Sequence, residues 1–175
     1  PLQAEKTAKY LSSQERRMTD PIIRDVDIVT QRATVSEQAT LGGQTISGLS
    51  TITDGATAQS VINNAGTGKL IVLNGTTTVS SQLTLGEGQT LRSGGSNVTL
   101  TGVNSGRTIN FSIPGSAGTL SGSVAGTSVL SLSSNSTLDG LTVENTSVAN
   151  NSTAVSASGI SGASIIGSNL TSTNG

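Results

Sequence analysis

All 22 glycines of this 175-residue chain lie after residue 40, where only seven side chains are charged. The same 135 residues hold 46 serines and threonines, and the whole chain has no histidine and no cysteine. Frequent glycine divides a chain into short segments, because glycine adopts the backbone conformations that tight turns need. Histidine and cysteine supply many catalytic bases and most zinc ligands. The sequence therefore predicts a repetitive β architecture more strongly than it predicts an active site.

The first 40 residues have a different composition, with 12 of the 19 charges and no glycine. Residues 2–18 are rich in helix formers and predict a short helix, while isoleucine, valine and threonine favour extended structure over 22–35. We therefore expect a charged N-terminal helix and extended linker over 1–35, and a β domain over 36–175. The N-terminal part is interpreted either as an assembly element for self-association or as a solvated linker. The biased composition around Gly175 suggests a trimmed part of a longer product.

Apolar residues make up 33% of the chain, and Tyr10 and Phe111 are its aromatic residues. Cores filled by valine, leucine, isoleucine and alanine suit a narrow interior in which every layer is alike. A net charge of -1 with three prolines argues against disorder. It also argues against a basic nucleic-acid surface. The chain has no run of 18 apolar residues, so no membrane span is predicted.

Two stretches of the sequence resemble each other. Residues 33–48 (ATVSEQATLGGQTISG) match 77–94 (TTVSSQLTLGEGQTLRSG) at ten positions, with an offset of 44 that becomes 45 after Glu87. This spacing predicts two coils of a solenoid, each of roughly 20–25 residues. Coincidence in a chain so rich in serine, threonine and glycine is the alternative.

Short segments follow one another after residue 50. Thr57–Asn64 is the helix candidate, with Asp54 or Thr57 as its cap and Gly66 at its end. Lys69–Asn74 (KLIVLN) is typical of a buried strand. Beyond residue 66 we expect mainly parallel β structure, built from short apolar segments that include Val98–Leu100 and Ile109–Phe111. One continuous core is predicted to receive six side chains: Val79, Leu83, Leu85, Leu91, Val98 and Leu100.

Residues 56–95 (ATAQSVINNAGTGKLIVLNGTTTVSSQLTLGEGQTLRSGG) resemble the opening of pectin-lyase-like right-handed parallel β-helices, and 135–147 (NSTLDGLTVENTS) resemble one of their coils. The resemblance, which covers roughly 56–175, implies an all-β fold: a right-handed parallel β-helix (β-solenoid) after a short N-terminal helical and extended segment. It implies that a short helix caps the open end of the core. If 33–48 is a true coil, Thr57–Asn64 is instead an insertion. The superfamily holds polysaccharide lyases and hydrolases, phage tailspikes, autotransporter passengers and adhesins.

Acidic residues are too sparse for the glycan-cleaving members. Hydrolases use paired carboxylates, and lyases use Ca²⁺ with a basic residue. Asp139 and Glu144 are the nearest acids, and five positions apart in a regular strand they would face opposite sides. We expect these charges to be solvated turn residues, and we assign no catalytic, cofactor-binding or metal-ligating residue. After residue 40 the acids are Asp54, Glu87, Asp139 and Glu144, and the bases, distant in sequence, are Lys69, Arg92 and Arg107.

Two glycine-rich patterns and a set of asparagines are interpreted as structural. Gly94–Asn97 lacks the aspartate of calcium-binding β-roll repeats, and Gly86–Gly95 lacks the ending of a phosphate loop, so both indicate turns. Asn-x-Ser/Thr patterns are expected to arise by chance in this composition. Inward-facing asparagines in hydrogen-bonded ladders are the alternative. The eight patterns begin at Asn74, Asn97, Asn110, Asn135, Asn145, Asn150, Asn151 and Asn169.

The function expected from these features is structural. We expect an extracellular or cell-surface adhesive solenoid, without enzymatic activity or cofactor, whose polar faces contact glycans, surfaces or other subunits. It resembles the non-catalytic adhesin, autotransporter-passenger or tailspike type of the superfamily. One alternative is a phage tail-fibre or tailspike fragment on a virion. The other is the N-terminal part of a carbohydrate-active enzyme whose catalytic coils lie beyond residue 175.

Overall fold

The computed structural model describes residues 36–173, which belong to one compact unit spanning Ser36–Gly175. The helix predicted over 2–18, the extended segment over 22–35 and the proposed N-terminal assembly element all lie outside the described residues. The described chain is all-β apart from one helix, α1 (Ala58–Ala65). Its strands are β1 (Ala39–Leu41), β2 (Gln44–Ile46), β3 (Leu49–Ile52), β4 (Leu70–Leu73), β5 (Thr76–Val79), β6 (Leu83–Thr84), β7 (Thr90–Ser93), β8 (Asn97–Gly102), β9 (Thr108–Ser112), β10 (Thr119–Gly122), β11 (Ser128–Ser131), β12 (Thr137–Asp139), β13 (Thr142–Asn145), β14 (Thr153–Ser156), β15 (Ser164–Ile166) and β16 (Asn169–Ser172).

Three parallel sheets contain most of these strands. Sheet I has the order β3-β4-β7-β12-β15, sheet II the order β5-β10-β13-β16, and sheet III the order β6-β11-β14. The chain enters the sheets in the sequence I, II, III and then returns to sheet I beside its previous strand, as in β4-β5-β6 followed by β7-β10-β11. Parallel β structure beyond residue 66 is therefore confirmed, with one antiparallel exception described below.

Glycine makes the corner between sheets I and II. Gly75, Gly140 and Gly167 each lie just after a sheet I strand, with φ of 72°, 70° and 53°. A residue with a Cβ is strained in this left-handed region, whereas glycine is not. The same corner after β7 is where the chain departs to form β8 and β9 before it returns at β10.

A separate antiparallel sheet has the order β2-β1-β8-β9. Residues 39–46 form its first hairpin, whereas the matching residues 83–91 run through β6 and into β7 of the parallel sheets. The prediction that the two sequence copies are equivalent coils is therefore wrong. In the first copy Gly42 and Gly43 are adjacent with φ of 58° and 87°, which closes a two-residue hairpin. Glu87 separates the corresponding glycines, and the second copy continues without reversing.

The β8–β9 hairpin also departs from the expected pattern. Val98–Leu100 and Ile109–Phe111 were expected to belong to the parallel strands, but they pair with each other, Val98 opposite Phe111 and Leu100 opposite Ile109. β8 also pairs with β1, which joins the two hairpins into one sheet. The short apolar segments alone did not distinguish the two arrangements, because both alternate with a period of two.

Sheet I is buried on both faces at β4. One face contributes Ile71 and Leu73 to an inner cluster, and the other contributes Leu70 and Val72 to a second cluster beneath the antiparallel sheet. The predicted core residues divide in the same way: the inner cluster contains Val79, Leu83, Leu85 and Leu91, and the second contains Val98 with Leu100 packed against it. The prediction of one continuous core is thus wrong for Val98 and Leu100, because the hairpin that contains them covers the outer face of sheet I.

Helix α1 lies within one residue of its predicted position and packs against the inner cluster through Ala58 and Ile62. Gly66 ends it, as predicted, while Thr57 occupies the N-cap without a side-chain capping bond. Gln89 is buried and donates hydrogen bonds to the carbonyls of Ile62 and Gly66 at 2.8 and 2.9 Å. These bonds satisfy carbonyls that a helix end would otherwise leave unpaired.

We predict that Leu85→Asp unfolds the described unit. Leu85 is fully buried in the inner cluster, and an unpaired carboxylate there costs on the order of 4 kcal/mol or more. The melting temperature should fall by about 10 °C or more. Val148→Asp is the matched control, because Val148 is 78% exposed. Equal melting temperatures for the two variants would refute the inward position of Leu85.

We predict the opposite effect for Thr77→Val. The Thr77 hydroxyl is buried in sheet II without a hydrogen-bond partner in the described structure, and valine has nearly the same shape without the unsatisfied group. Removing it should stabilise the fold by about 1 kcal/mol, which raises the melting temperature by about 2–4 °C. Thr78→Val, at the exposed neighbouring position, should leave the melting temperature nearly unchanged. A lower melting temperature for Thr77→Val contradicts the prediction.

Candidate functional site

The two acids nearest in sequence do not form a pair. Asp139 ends β12 in sheet I, and Glu144 lies in β13 of sheet II, with Gly140 turning the chain between them. The two acids were expected to face opposite sides if they shared one regular strand, and the structure shows that they do not share one. Glu144 lies in register between Ser121 and Thr171, on the outer face of sheet II. The two carboxylates thus belong to two separate surfaces.

Asp139 instead pairs with Arg92, which lies 47 positions away in the sequence. The residues are directly opposite in the β7–β12 register, and Nη1 of Arg92 donates to Oδ2 of Asp139. Their side chains are 16% and 18% exposed, so the expectation of a solvated turn charge is wrong for Asp139. The sequence contains a signal for this ion pair. Thr90-Leu91-Arg92 aligns with Thr137-Leu138-Asp139, and pairing the two segments as neighbouring strands would have predicted that Arg92 lies opposite Asp139.

The guanidinium of Arg92 is held by further bonds. Nε donates to Oγ of Ser96 at 3.1 Å, and Nη2 donates to the carbonyl of Asn97 at 3.2 Å. Ser96 precedes β8, and Asn97 is the first residue of that strand. Arg92 is therefore fixed from three directions, which limits the rotamers that its side chain can adopt.

The remaining charges lie apart from this pair. Asp54, Glu87 and Arg107 are exposed, in line with the expectation of surface charges. Nζ of Lys69 donates to the carbonyl of Ser47 at 2.7 Å. Within residues 36–173 no three acidic, histidine or cysteine side chains come close enough to hold a metal ion. The same residues include no helix long and apolar enough to cross a membrane.

The Arg92–Asp139 pair lines a groove on the outer face of sheet I, here called the sheet I groove. Its volume is about 320 Å³. Thr90, Thr137 and Ser164 form one in-register row of hydroxyls along it, and Arg92, Asp139 and Ile166 form the next row. The β1–β2 hairpin forms one wall through Leu41, Gly42 and Gln44. Nε2 of Gln44 donates to the carbonyl of Asn135 at 2.8 Å, which ties this wall to the parallel strands.

A second polar surface covers the outside of sheet II. Its inward positions are apolar or buried, as at Leu120 and Val143, and the alternate positions point outward. Strands in a sheet are about 4.8 Å apart, and alternate residues along a strand are about 6.6 Å apart. The outward side chains therefore form a regular array, here called the sheet II array. Its two rows are Thr76, Thr119, Thr142 and Asn169, and Thr78, Ser121, Glu144 and Thr171.

Among the Asn-x-Ser/Thr patterns, Asn145 has a structural role. Its side chain is buried, the two hydrogens of Nδ2 are shared among the carbonyls of Val124, Thr127 and Thr153 at 2.9–3.1 Å, and Oδ1 accepts from two backbone amides. The inward position is thus confirmed for Asn145, but its partners are backbone groups and not a ladder of other asparagines. Asn74 is half-buried and accepts from the amide of Ser116 at 2.9 Å. The other six are exposed: Asn97, Asn110, Asn135, Asn150, Asn151 and Asn169.

Glu37 binds the turn of the β8–β9 hairpin. Its carboxylate accepts hydrogen bonds from the Ser105 hydroxyl and from the amides of Ser105 and Asn104, each amide at 2.9 Å. The Ser105 hydroxyl, followed by the two amides and the charge of Arg107, lowers the pKa of Glu37 below its ordinary value of 4.5. No sequence pattern indicated this contact, because it joins Glu37 to residues 67 and 68 positions away, in the turn of a hairpin.

Comparisons of the chain with protein-family models, with curated proteins and with solved structures give no match. The resemblance to pectin-lyase-like β-helices therefore depends on the residues quoted above. The geometry of the two outer surfaces is the basis for a proposed function.

We predict that acid releases the hairpin turn from Glu37. A carboxylate whose pKa is lowered in the folded state stabilises the fold above the unfolded pKa, and this contribution is lost as the pH falls through the lower, folded value. The amide proton shifts of Asn104 and Ser105 should therefore titrate with a midpoint below 4.5, the ordinary value for glutamate. Glu37→Gln should abolish that transition, while Glu87→Gln should preserve it. A midpoint at or above 4.5 would contradict the assigned contact.

Proposed function

We propose that this chain forms a three-sided, right-handed parallel β-helix of the pectin-lyase-like type and acts as a non-enzymatic, adhesive structural rod outside the cell or on its surface. The ordered passage of the chain through sheets I, II and III supports the solenoid. The glycine corners that recur after β4, β12 and β15 support it as well, because they repeat one bend at three levels. In this architecture the rod displays its outer faces to glycans, to other surfaces or to neighbouring subunits.

The sheet II array is the observation that carries this proposal. Seven of its eight side chains are neutral hydroxyls or an amide, and they repeat in register over four strands. Threonine is stiff at χ1, and the backbone beneath it is held in a hydrogen-bonded sheet. Contacts with a repeating target therefore cost little side-chain entropy. Individually weak contacts add up when many are made at once.

The positions of the acids favour binding over cleavage. Hydrolysis by paired carboxylates needs one acid on each side of the same glycosidic bond. Asp139 and Glu144 lie in different sheets. Asp139 is also held in an ion pair by Arg92. Glu144 is surrounded by hydroxyl side chains of the sheet II array, where it can accept hydrogen bonds from a bound surface.

The proposal predicts that the protein adsorbs to insoluble neutral polysaccharides such as cellulose or chitin. The double variant Thr119→Glu/Thr142→Glu places two more carboxylates beside Glu144, and the cost of desolvating these charges against a neutral surface should weaken adsorption about tenfold. Thr108→Glu/Asn110→Glu, on exposed positions of β9, is the matched control and should adsorb like the parent chain. Depletion from the supernatant measures both.

Two results would overturn the proposal. One is equal adsorption by the sheet II variant and the parent chain. The other is release of reducing ends or unsaturated products that is lost in Asp139→Asn or Glu144→Gln, which would restore the enzyme interpretation. Circular dichroism of each variant should match the parent spectrum, so that a change in adsorption reports on the surface.

A further inference from the structure

The outer face of sheet I changes character along the sheet. Leu70 and Val72 on β4 lie beneath the antiparallel sheet, in the second apolar cluster. The residues in register with them on the next strands are Thr90 with Thr137, and Arg92 with Asp139. Polar side chains therefore begin where the apolar cover ends. This change creates the sheet I groove, whose volume of about 320 Å³ lies at the lower end of the range for small-ligand sites.

We propose that the sheet I groove is a binding site for one unit of a neutral saccharide, separate from the sheet II array. This inference rests on the proposed glycan-binding function and gives it a discrete site. The groove can orient a ligand because Arg92 and Asp139 lie side by side in register. The pair has no net charge, so it offers no ionic attraction to a uronate or an amine.

The polar groups of the groove match adjacent hydroxyls. A guanidinium has five N–H donors, and Arg92 directs its bonds within the described residues to Asp139, Ser96 and Asn97 through one hydrogen of each nitrogen. Among residues 36–173, Asp139 is bonded through Oδ2 and not through Oδ1, so Oδ1 can act as an acceptor. Donor and acceptor are thus presented together. Each sugar hydroxyl both donates and accepts, so two neighbouring hydroxyls complement this arrangement.

The rest of the groove supports the same ligand class. Thr137 and Ser164 add hydroxyls in register, about 4.8 Å apart. Leu41 and Ile166 provide apolar surface at the edges, against which the C–H groups of a sugar ring can pack. Arg92 is held by three partners and Gln44 is bonded to Asn135. Because these side chains are already ordered, binding immobilises few new rotamers.

Isothermal titration with soluble neutral oligosaccharides, namely cello-, xylo-, manno- and galacto-oligosaccharides, tests the site. We expect at least one to bind with a Kd on the order of 0.1 mM. Asp139→Asn and Thr137→Val should each weaken binding about tenfold or more. The first replaces the carboxylate that holds Arg92 with a neutral amide, and the second removes a hydroxyl from the groove. Ser121→Ala, which removes a hydroxyl from the sheet II array, is the matched control and should bind normally. Thr137→Val keeps the ion pair, so it tests the site even if Asp139→Asn loses stability.

The outcomes separate this inference from the proposed function. If the parent chain adsorbs to insoluble polysaccharide but binds no soluble neutral oligosaccharide, the groove proposal alone is wrong. Equal weakening by Thr137→Val and Ser121→Ala, or tighter binding of an oligouronate than of its neutral counterpart, would also overturn it. The variant Thr119→Glu/Thr142→Glu should lose adsorption while keeping oligosaccharide binding. Retained oligosaccharide binding without adsorption by the parent chain would instead refute the role of the sheet II array.

Discussion

In-register parallel pairing between strands is the interaction on which the rest of the structure depends. It places residues of equal position above one another, as in the row Ile71, Leu91 and Leu138, so that one apolar position per strand becomes a continuous inner cluster. The same register aligns the outward positions. A row such as Thr76, Thr119 and Thr142 is therefore a consequence of backbone pairing and not of any contact between the hydroxyls.

The antiparallel sheet modifies this simple arrangement at one place. By covering Leu70 and Val72 it makes β4 buried at all four positions. Where the cover ends, the outer face of sheet I is left with Thr137, Asp139 and Arg92, and the groove forms against the β1–β2 wall. The two outer surfaces therefore differ in kind. Sheet II presents a flat repeating array, whereas sheet I presents a recess with a fixed ion pair.

Several elements were predicted correctly from the sequence, because their signals are local. Helix α1 was predicted from its candidate caps and the Gly66 stop, and β4 from its short apolar run between glycines. The repeat at 33–48 led to a wrong prediction of two equivalent coils, because residue identity alone does not determine which strands pair. Adjacent glycines in one copy, and an inserted Glu87 in the other, send similar sequences into an antiparallel hairpin and into parallel strands.

The sequence by itself determined the all-β character, the short strands and the inward positions such as Leu85 and Leu91. These follow from alternation and turn residues, which act over a few positions. Only the tertiary structure decided that Arg92 meets Asp139, that Val98 packs outside the inner cluster, and that Asn145 is buried among carbonyls. Each of these depends on register between strands distant in the sequence. That register is set by how the corners and the inserted hairpin bring the backbone together.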